Sequence, residues 1–248
     1  MSNFVNSKLL IFVMAIILSI ETSTKGCSTA IHQDTRLLAL SELFHEKSSS
    51  GMLTTLVQQV VKVSSLSFDD IDAIAVAKGP GSYTGLRIGV STAKGLCFTL
   101  DKPLLAINTL QAMALQVHHV AKSVGNDNPP LLCPMLDARR MEVYCALYEA
   151  TSLEQVTATE AKIIDETSFE EILKTRRIVF FGDGATKCQA VLGKFQNAIF
   201  LNETINPSAK AIGELANDAF LKQEFENVAD FEPYYLKEFM ATTPKKAL

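Results

Sequence analysis

The chain has 248 residues, 48% of them hydrophobic and 20% charged, so it can bury one large core or two smaller ones and is neither disordered nor fibrous. Its 23 Lys and Arg against 27 Asp and Glu give a net charge of −4, which argues against a protein that grips nucleic acid alone. Five cysteines, Cys27, Cys97, Cys133, Cys145 and Cys188, follow no CxxC spacing, and an odd number in a chain this large reads as buried reduced thiols.

The apolar run from Leu9 to Ile20 resembles a signal-peptide core but is too short for a membrane span, which needs about 20 apolar residues. The same run reads as a buried strand, and no small-x-small cleavage site closes it. Lys25 and Gly26 before Cys27 make a poor lipoprotein context, and Met14 offers an internal start. Residues 1–13 are therefore read as an upstream extension or a misplaced start, and the chain as cytoplasmic. Ala15 to Glu21 predicts the first strand; Cys27 to His32 and Arg36 to Leu43 return across short turns as an antiparallel meander.

Ser48-Ser49-Ser50-Gly51 opens a helix from about Met52 to Val63, with a broad apolar face of Leu53, Leu56, Val57, Val60, Val61 and Val63. Ile71 to Ala77 predicts a strand and Tyr83 to Leu100 a helix, stopped by Asp101-Lys102-Pro103 because Pro cannot continue it. Leu104 to Ile107 is a further strand, and Leu110 to about Ser123 a helix. Gly125 to Pro130 is the clearest linker. Beyond it, Leu131 to Leu136 and Met141 to Tyr148 read as strands flanking Asp137-Ala138-Arg139-Arg140. Ile178 to Phe181 is a strand ending in Gly182-Asp183-Gly184, then a helix from about Thr186 to Leu192, and residues 208–222 carry a last helical pattern. Antiparallel strands followed by βα alternation predict a mixed α/β chain with two related lobes.

Gly79-Pro80-Gly81-Ser82-Tyr83-Thr84-Gly85-Leu86-Arg87 sits where a strand hands over to a helix, the place where free N–H groups often hold phosphate. The spacing matches neither a Walker A loop nor a dinucleotide fingerprint, whose third glycine would fall on Thr84. Gly85, Gly89 and Ala93 then recur every fourth residue, and interior glycines cost roughly 1 kcal/mol each relative to Ala. Such a stripe either docks on the chain's own sheet or meets another chain's helix. No catalytic centre emerges. His45-Glu46 begins like a zincin motif but Ser49 holds the second histidine's place, and His118 and His119 do not share a helix face. Ser82 lacks the flanking glycines of a nucleophile elbow. Asp137, Arg139 and Arg140 fit a structural salt-bridge role better than chemistry, and Gly182-Asp183-Gly184 fits a plain turn better than a degenerate phosphate loop.

Together, ILSIETSTKGCSTAI, IDAIAVAKGPGSYTGLRIGVSTAKGLC, INTLQAMA and MLDARRMEVYCALY resemble the TsaB (YeaZ) family, from about Met14 to Pro233-Tyr234-Tyr235-Leu236. The resemblance implies an α/β, two-lobed fold of the actin-like and sugar-kinase-like ATPase type (ribonuclease-H-like). Residues 14–124 would form the N-terminal lobe and 131–248 the C-terminal lobe. It further implies a role in placing threonylcarbamoyl on the adenosine next to the tRNA anticodon, with a metal-bearing TsaD-type catalytic subunit and a TsaE-type ATPase as partners. The first two helices of the family pair with TsaD, or with a second copy when alone. That points to Leu56 and Val60 on the first helix and to Thr84, Gly85, Ile88, Gly89, Ser91 and Thr92 on the second. Transfer RNA would be met only within the complex, and no membrane is implied. No cofactor is expected to bind firmly, while weak or shared nucleotide binding is left open.

In TsaD-like chains a His-x-x-x-His pair after the second helix binds the metal. Here Thr109 and Met113 stand in those places, with Gln111 at the acidic position between them. Thr and Met are poor replacements for two imidazoles. The chain therefore reads as the partner and not the enzyme, the alternative being a stand-alone glycoprotease-like hydrolase or ATP-dependent enzyme.

Overall fold

The computed structural model describes residues 14–44, 48–123 and 128–237. The expectation for residues 1–13 lies outside them, as do His45-Glu46 and residues 125–127 of the linker.

Strands β1 (Ile16–Glu21), β2 (Cys27–Gln33) and β3 (Arg36–Leu43) form the expected meander. After helix α1 (Ser48–Val63), strand β4 (Ala73–Gly79) pairs parallel with β1; helix α2 (Tyr83–Leu100) then leads to β5 (Leu104–Asn108), parallel to β4. The sheet order is β3-β2-β1-β4-β5. Three antiparallel strands continued by parallel βαβ crossovers are the ribonuclease-H-like arrangement of actin-like and sugar-kinase-like proteins.

Period-two alternation sets the two faces of this sheet. Leu18 and Ile20 of β1 and Ile74 and Val76 of β4 point to one side, where they bury Val57, Val60 and Val61 of α1 and Val90, Ala93 and Cys97 of α2. Ile17, Ala73, Ala75 and Ala77 point to the other side. The alanine row leaves room there for helix α3 (Thr109–Ser123) and for a helix from the end of the chain.

The second sheet contains β6 (Leu131–Asp137), β7 (Glu142–Cys145), β8 (Tyr148–Glu149), β9 (Glu160–Ile163), β10 (Ile178–Phe181) and β11 (Ala198–Phe200), with helices α4 (Glu170–Leu173) and α5 (Ala185–Leu192). Its order is β11-β10-β6-β7-β9, with β8 beside β6. One face buries Cys133, Cys145 and Cys188 among Phe180, Leu192 and Val143. The other packs Leu132, Leu136 and Phe181 against Leu110, Met113 and Val117 of α3, so α3 is shared between the lobes.

Two expectations change. The apolar run Met141 to Tyr148 is two strands, because the chain breaks pairing at Ala146-Leu147 and β8 moves to the other end of β6. Helix α6 (Ala209–Leu221), expected within a C-terminal lobe over 131–248, returns to the first sheet and packs on β1, β2, β4 and β5. Its Ile212 and Ala216 fill the space over the alanine row, and Gly213 is pressed against the His32 ring. Among the described residues no helix is long and apolar enough to cross a membrane.

Candidate functional site

The glycine-rich turn after β4 is consumed by the chain itself. Gly79 takes a φ of +108°, a conformation that side chains disfavour. A β-carbon on Gly81 would collide with the Ser23 carbonyl, to which Ser82 N–H donates at 2.6 Å. Ser82 Oγ accepts from Gly85 N–H at 3.3 Å and so caps α2, while Leu86 N–H donates to the Ser82 carbonyl. The N–H groups of Ser82, Gly85 and Leu86 are thus already paired within the chain.

The small-residue stripe faces inward. Gly85 and Gly89 are buried against the turn after β1: a β-carbon on Gly85 would strike the Thr22 carbonyl, and one on Gly89 would strike Thr22 Oγ1. Thr22 Oγ1 in turn donates to the Gly85 carbonyl at 2.8 Å. These two glycines therefore let α2 sit close on its own sheet and are not presented to a partner. Leu56 and Val60 are likewise corrected, being 2% and 1% exposed, Val60 in the core between α1 and the sheet. Burial there follows from the breadth of the apolar face on α1, which is taken up from Leu53 to Val61 but leaves Val63 exposed.

What α2 does present is Thr84 and Ser91, both exposed, with Ile88 and Thr92 half-buried beside them. The row continues at heptad spacing through exposed Gly95 to Phe98, which is 87% exposed. Neighbouring α1 adds Met52 and Val63, the latter 71% exposed, with Thr55 and Gln59 between them. Phe98 and Val63, with Met52 and part of Ile88, are apolar side chains left in water on adjacent helices among polar and small residues. The heptad step from Ser91 to Phe98 extends the expected row, which ends at Thr92, by about a turn and a half.

Thr109 and Met113 are fully buried. Thr109 opens α3 after Asn108, whose Oδ1 accepts from Leu110 N–H at 2.8 Å and Gln111 N–H at 3.2 Å. Met113 lies in the interlobe core, with its methyl against Gly182. Both are enclosed in the packing, and a hydroxyl and a thioether do not supply the two imidazole nitrogens of a His-x-x-x-His pair. Among the described residues no three His, Cys, Asp or Glu side chains come together as a metal site. His118 Nδ1 lies 2.8 Å from the Ala150 carbonyl, a structural contact.

Two buried titratable groups flank this region. Glu21, 2% exposed at the end of β1, accepts from Ser23 N–H through one oxygen and leaves the other without a partner; burial raises its pKa to about 7. His32 on β2 is fully buried with neither ring nitrogen hydrogen-bonded, and burial lowers its pKa to about 4 against a smaller opposing pull from Glu214.

After α6 the chain runs as a strap along α2 and across to the second lobe. Lys94 Nζ donates to the carbonyls of Ala229 and Phe231 at 3.0 and 3.1 Å, and Tyr234 N–H donates to the Lys78 carbonyl at 2.7 Å. Arg87 Nε donates to Tyr235 Oη at 3.2 Å while its guanidinium lies 4.2 Å from the Tyr83 ring centre. Lys237 then pairs with Glu142 of β7. The strap walls an interlobe cavity of about 720 Å³ whose polar lining includes Lys78, Asn108, Thr159, Glu226, Asp230 and Glu232. One lysine among three carboxylates is poorly suited to a phosphate chain. Gly182-Asp183-Gly184 is a turn, tied by Gly184 N–H to the Met135 carbonyl and by Asp183 Oδ1, which accepts from Asp137 N–H at 2.9 Å. Asp137 itself is paired with Lys187.

Residues 44–245 match the family model described as TsaD, tRNA N6-adenosine threonylcarbamoyltransferase. The tRNA threonylcarbamoyladenosine biosynthesis protein TsaB of Escherichia coli (strain K12) is 30% identical over 229 residues, 91% of this chain and 96% of its own. The protein of the same name from Bacillus subtilis (strain 168) is 33% identical over 170 residues, 67% of this chain and 70% of its own. The solved structure of YeaZ from Pseudomonas aeruginosa superposes with a TM-score of 0.75 at 24% identity, covering 90% of this chain and all of that one.

Proposed function

The chain belongs to the TsaB (YeaZ) family of glycoprotease-like proteins, and we propose that it acts there as a non-catalytic subunit that binds and activates a TsaD-type catalytic subunit. The reaction served is threonylcarbamoylation of the adenosine next to the tRNA anticodon. The observation that carries this reading is the outward face of α1 and α2, where Phe98 and Val63 stand in solvent on helices that also expose the small residues Thr84, Ser91 and Gly95. Small residues allow close helix approach, and large exposed apolar side chains lose water on docking. Thr109 and Met113, at the positions that resemble the metal-binding histidines of TsaD-like chains, support assigning the chemistry to the partner.

On this reading the face takes the TsaD-type subunit in the cytoplasm, or a second copy of this chain when that subunit is absent. A TsaE-type ATPase joins the assembly, and tRNA is met only within it. Nucleotide, if it enters, does so weakly or shared with a partner, in keeping with the carboxylate-rich cleft. Co-purification of the chain with the TsaD-type subunit of the same organism tests the proposal. A stable pair supports it; a chain that stays apart from that subunit, and alone turns over a substrate, would establish the stand-alone enzyme instead.

A further inference from the structure

We propose that Arg139 and Arg140, on the hairpin between β6 and β7, contact phosphate groups of the tRNA backbone in the assembled complex. This inference rests on the partner reading above. Both residues are exposed and both take left-handed backbone conformations, with φ of 71° and 51°. Two consecutive left-handed residues with β-carbons are disfavoured, and turns that need this geometry ordinarily use glycine or asparagine. A costly backbone holding two long cations at a tip suggests that the side chains are what the loop is for.

The loop is braced from beneath. Asp137 Oδ1 accepts from Arg139 N–H at 2.9 Å, Glu142 N–H donates to the Arg139 carbonyl at 3.2 Å, and Lys187 Nζ donates to the Glu142 carbonyl at 2.7 Å. The nearby carboxylates are already matched, Asp137 with Lys187 and Glu142 with Lys237. Neither guanidinium makes a hydrogen bond or ion pair with another described residue; Arg139 feels the charge of Asp137, whose direct pair is Lys187, so the tip carries positive charge that is only partly offset on a chain of net charge −4. A planar guanidinium suits a phosphate bidentately. The hairpin belongs to the second sheet, whereas the proposed docking helices cover the first, so partner binding leaves the arginines free. With so acidic a chain the contact is an auxiliary one, made once a partner has brought the tRNA close.

The test uses the chain assembled with the TsaD-type subunit and measures tRNA affinity by fluorescence anisotropy across a salt series. Assembly is read first, by co-purification; failure of the unaltered pair to assemble defeats the partner reading and this inference with it. In an assembled complex, R139A/R140A is expected to weaken tRNA binding about fivefold or more and to flatten the slope of log affinity against log salt by about 1 to 2. R139K/R140K should keep most of that slope. Arg140→Gly should bind tRNA more weakly while melting no lower than the unaltered chain, because glycine relieves the left-handed backbone. Unchanged affinity and slope in R139A/R140A would overturn the proposal. So would loss of co-purification in that variant, which would place the hairpin in a protein interface.

Discussion

Gly89 of α2 lies directly over Thr22: the space a β-carbon would take is filled by Thr22 Oγ1, which donates to the Gly85 carbonyl one turn earlier at 2.8 Å. In an ordinary helix interior Gly→Ala gains roughly 1 kcal/mol. Here Gly89→Ala is expected to cost on the order of 1–3 kcal/mol in urea unfolding, through overpacking. Thr22→Ala alone should cost about 1 kcal/mol for the lost hydrogen bond. The double variant should be more stable than the sum predicts, because the alanine removes the colliding hydroxyl. Gly85→Ala meets the Thr22 backbone carbonyl, so Thr22→Ala should not rescue it. A stabilising Gly89→Ala would show that α2 does not sit this close to β1.

The two sides of α1 and α2 should respond oppositely to substitution. Phe98→Glu and Val63→Lys, on residues already in solvent, should move stability by no more than about 0.5 kcal/mol. The same changes should weaken binding of the TsaD-type subunit at least about tenfold. Leu56→Ala should instead cost about 2–5 kcal/mol of stability, from a cavity in the core. Calorimetry and a binding titration on the same preparations separate the two effects.

The sequence announced most of the first lobe because alternation in β1 and β4, the proline after α2 and the apolar face of α1 each leave a strong local pattern. It did not announce β9, α4 or β11, which are three or four residues long and mostly half-exposed, so neither period has room to register. The return of α6 to the first sheet depends on the long-range match of its Ile212 and Ala216 with Ala73, Ala75 and Ala77, which no local signal encodes. At the candidate site, the family resemblance pointed to residues of both faces together. Thr84 and Ser91 are exposed while Leu56, Val60, Gly85 and Gly89 are buried, because periodicity tells which residues share a face and leaves open which face the sheet takes.

Glu21 and His32 should pull the pH dependence of stability in opposite directions. Glu21 is raised to about 7, so the folded state holds a proton that the unfolded chain releases near 4.5; its contribution is full below pH 4.5 and is lost as pH rises to 7. At about 1.4 kcal/mol per pH unit this is on the order of 3 kcal/mol. His32 is lowered to about 4, so its contribution is present above pH 6.5 and is lost as pH falls toward 4. Urea unfolding of the unaltered chain should therefore vary little between pH 4.5 and 6.5 on account of these two groups. Glu21→Gln should expose a stability that rises with pH across that window. An identical pH profile for the unaltered chain and Glu21→Gln would refute the buried, protonated carboxyl.

All five cysteines are buried and free of disulfides. A colourimetric thiol reagent should label less than one thiol per folded chain within minutes and all five in denaturant. Rapid labelling of a folded-state thiol would contradict the packing of Cys133, Cys145 and Cys188 in the second lobe.

The most direct measurement of the partner role is reconstituted threonylcarbamoylation of tRNA by the TsaD-type subunit, with its other components held constant and this chain added or omitted. The account predicts that product forms only with this chain present, that Phe98→Glu lowers the yield at limiting chain concentration, and that excess variant recovers it. Equal product without the chain would contradict its role as an activating subunit.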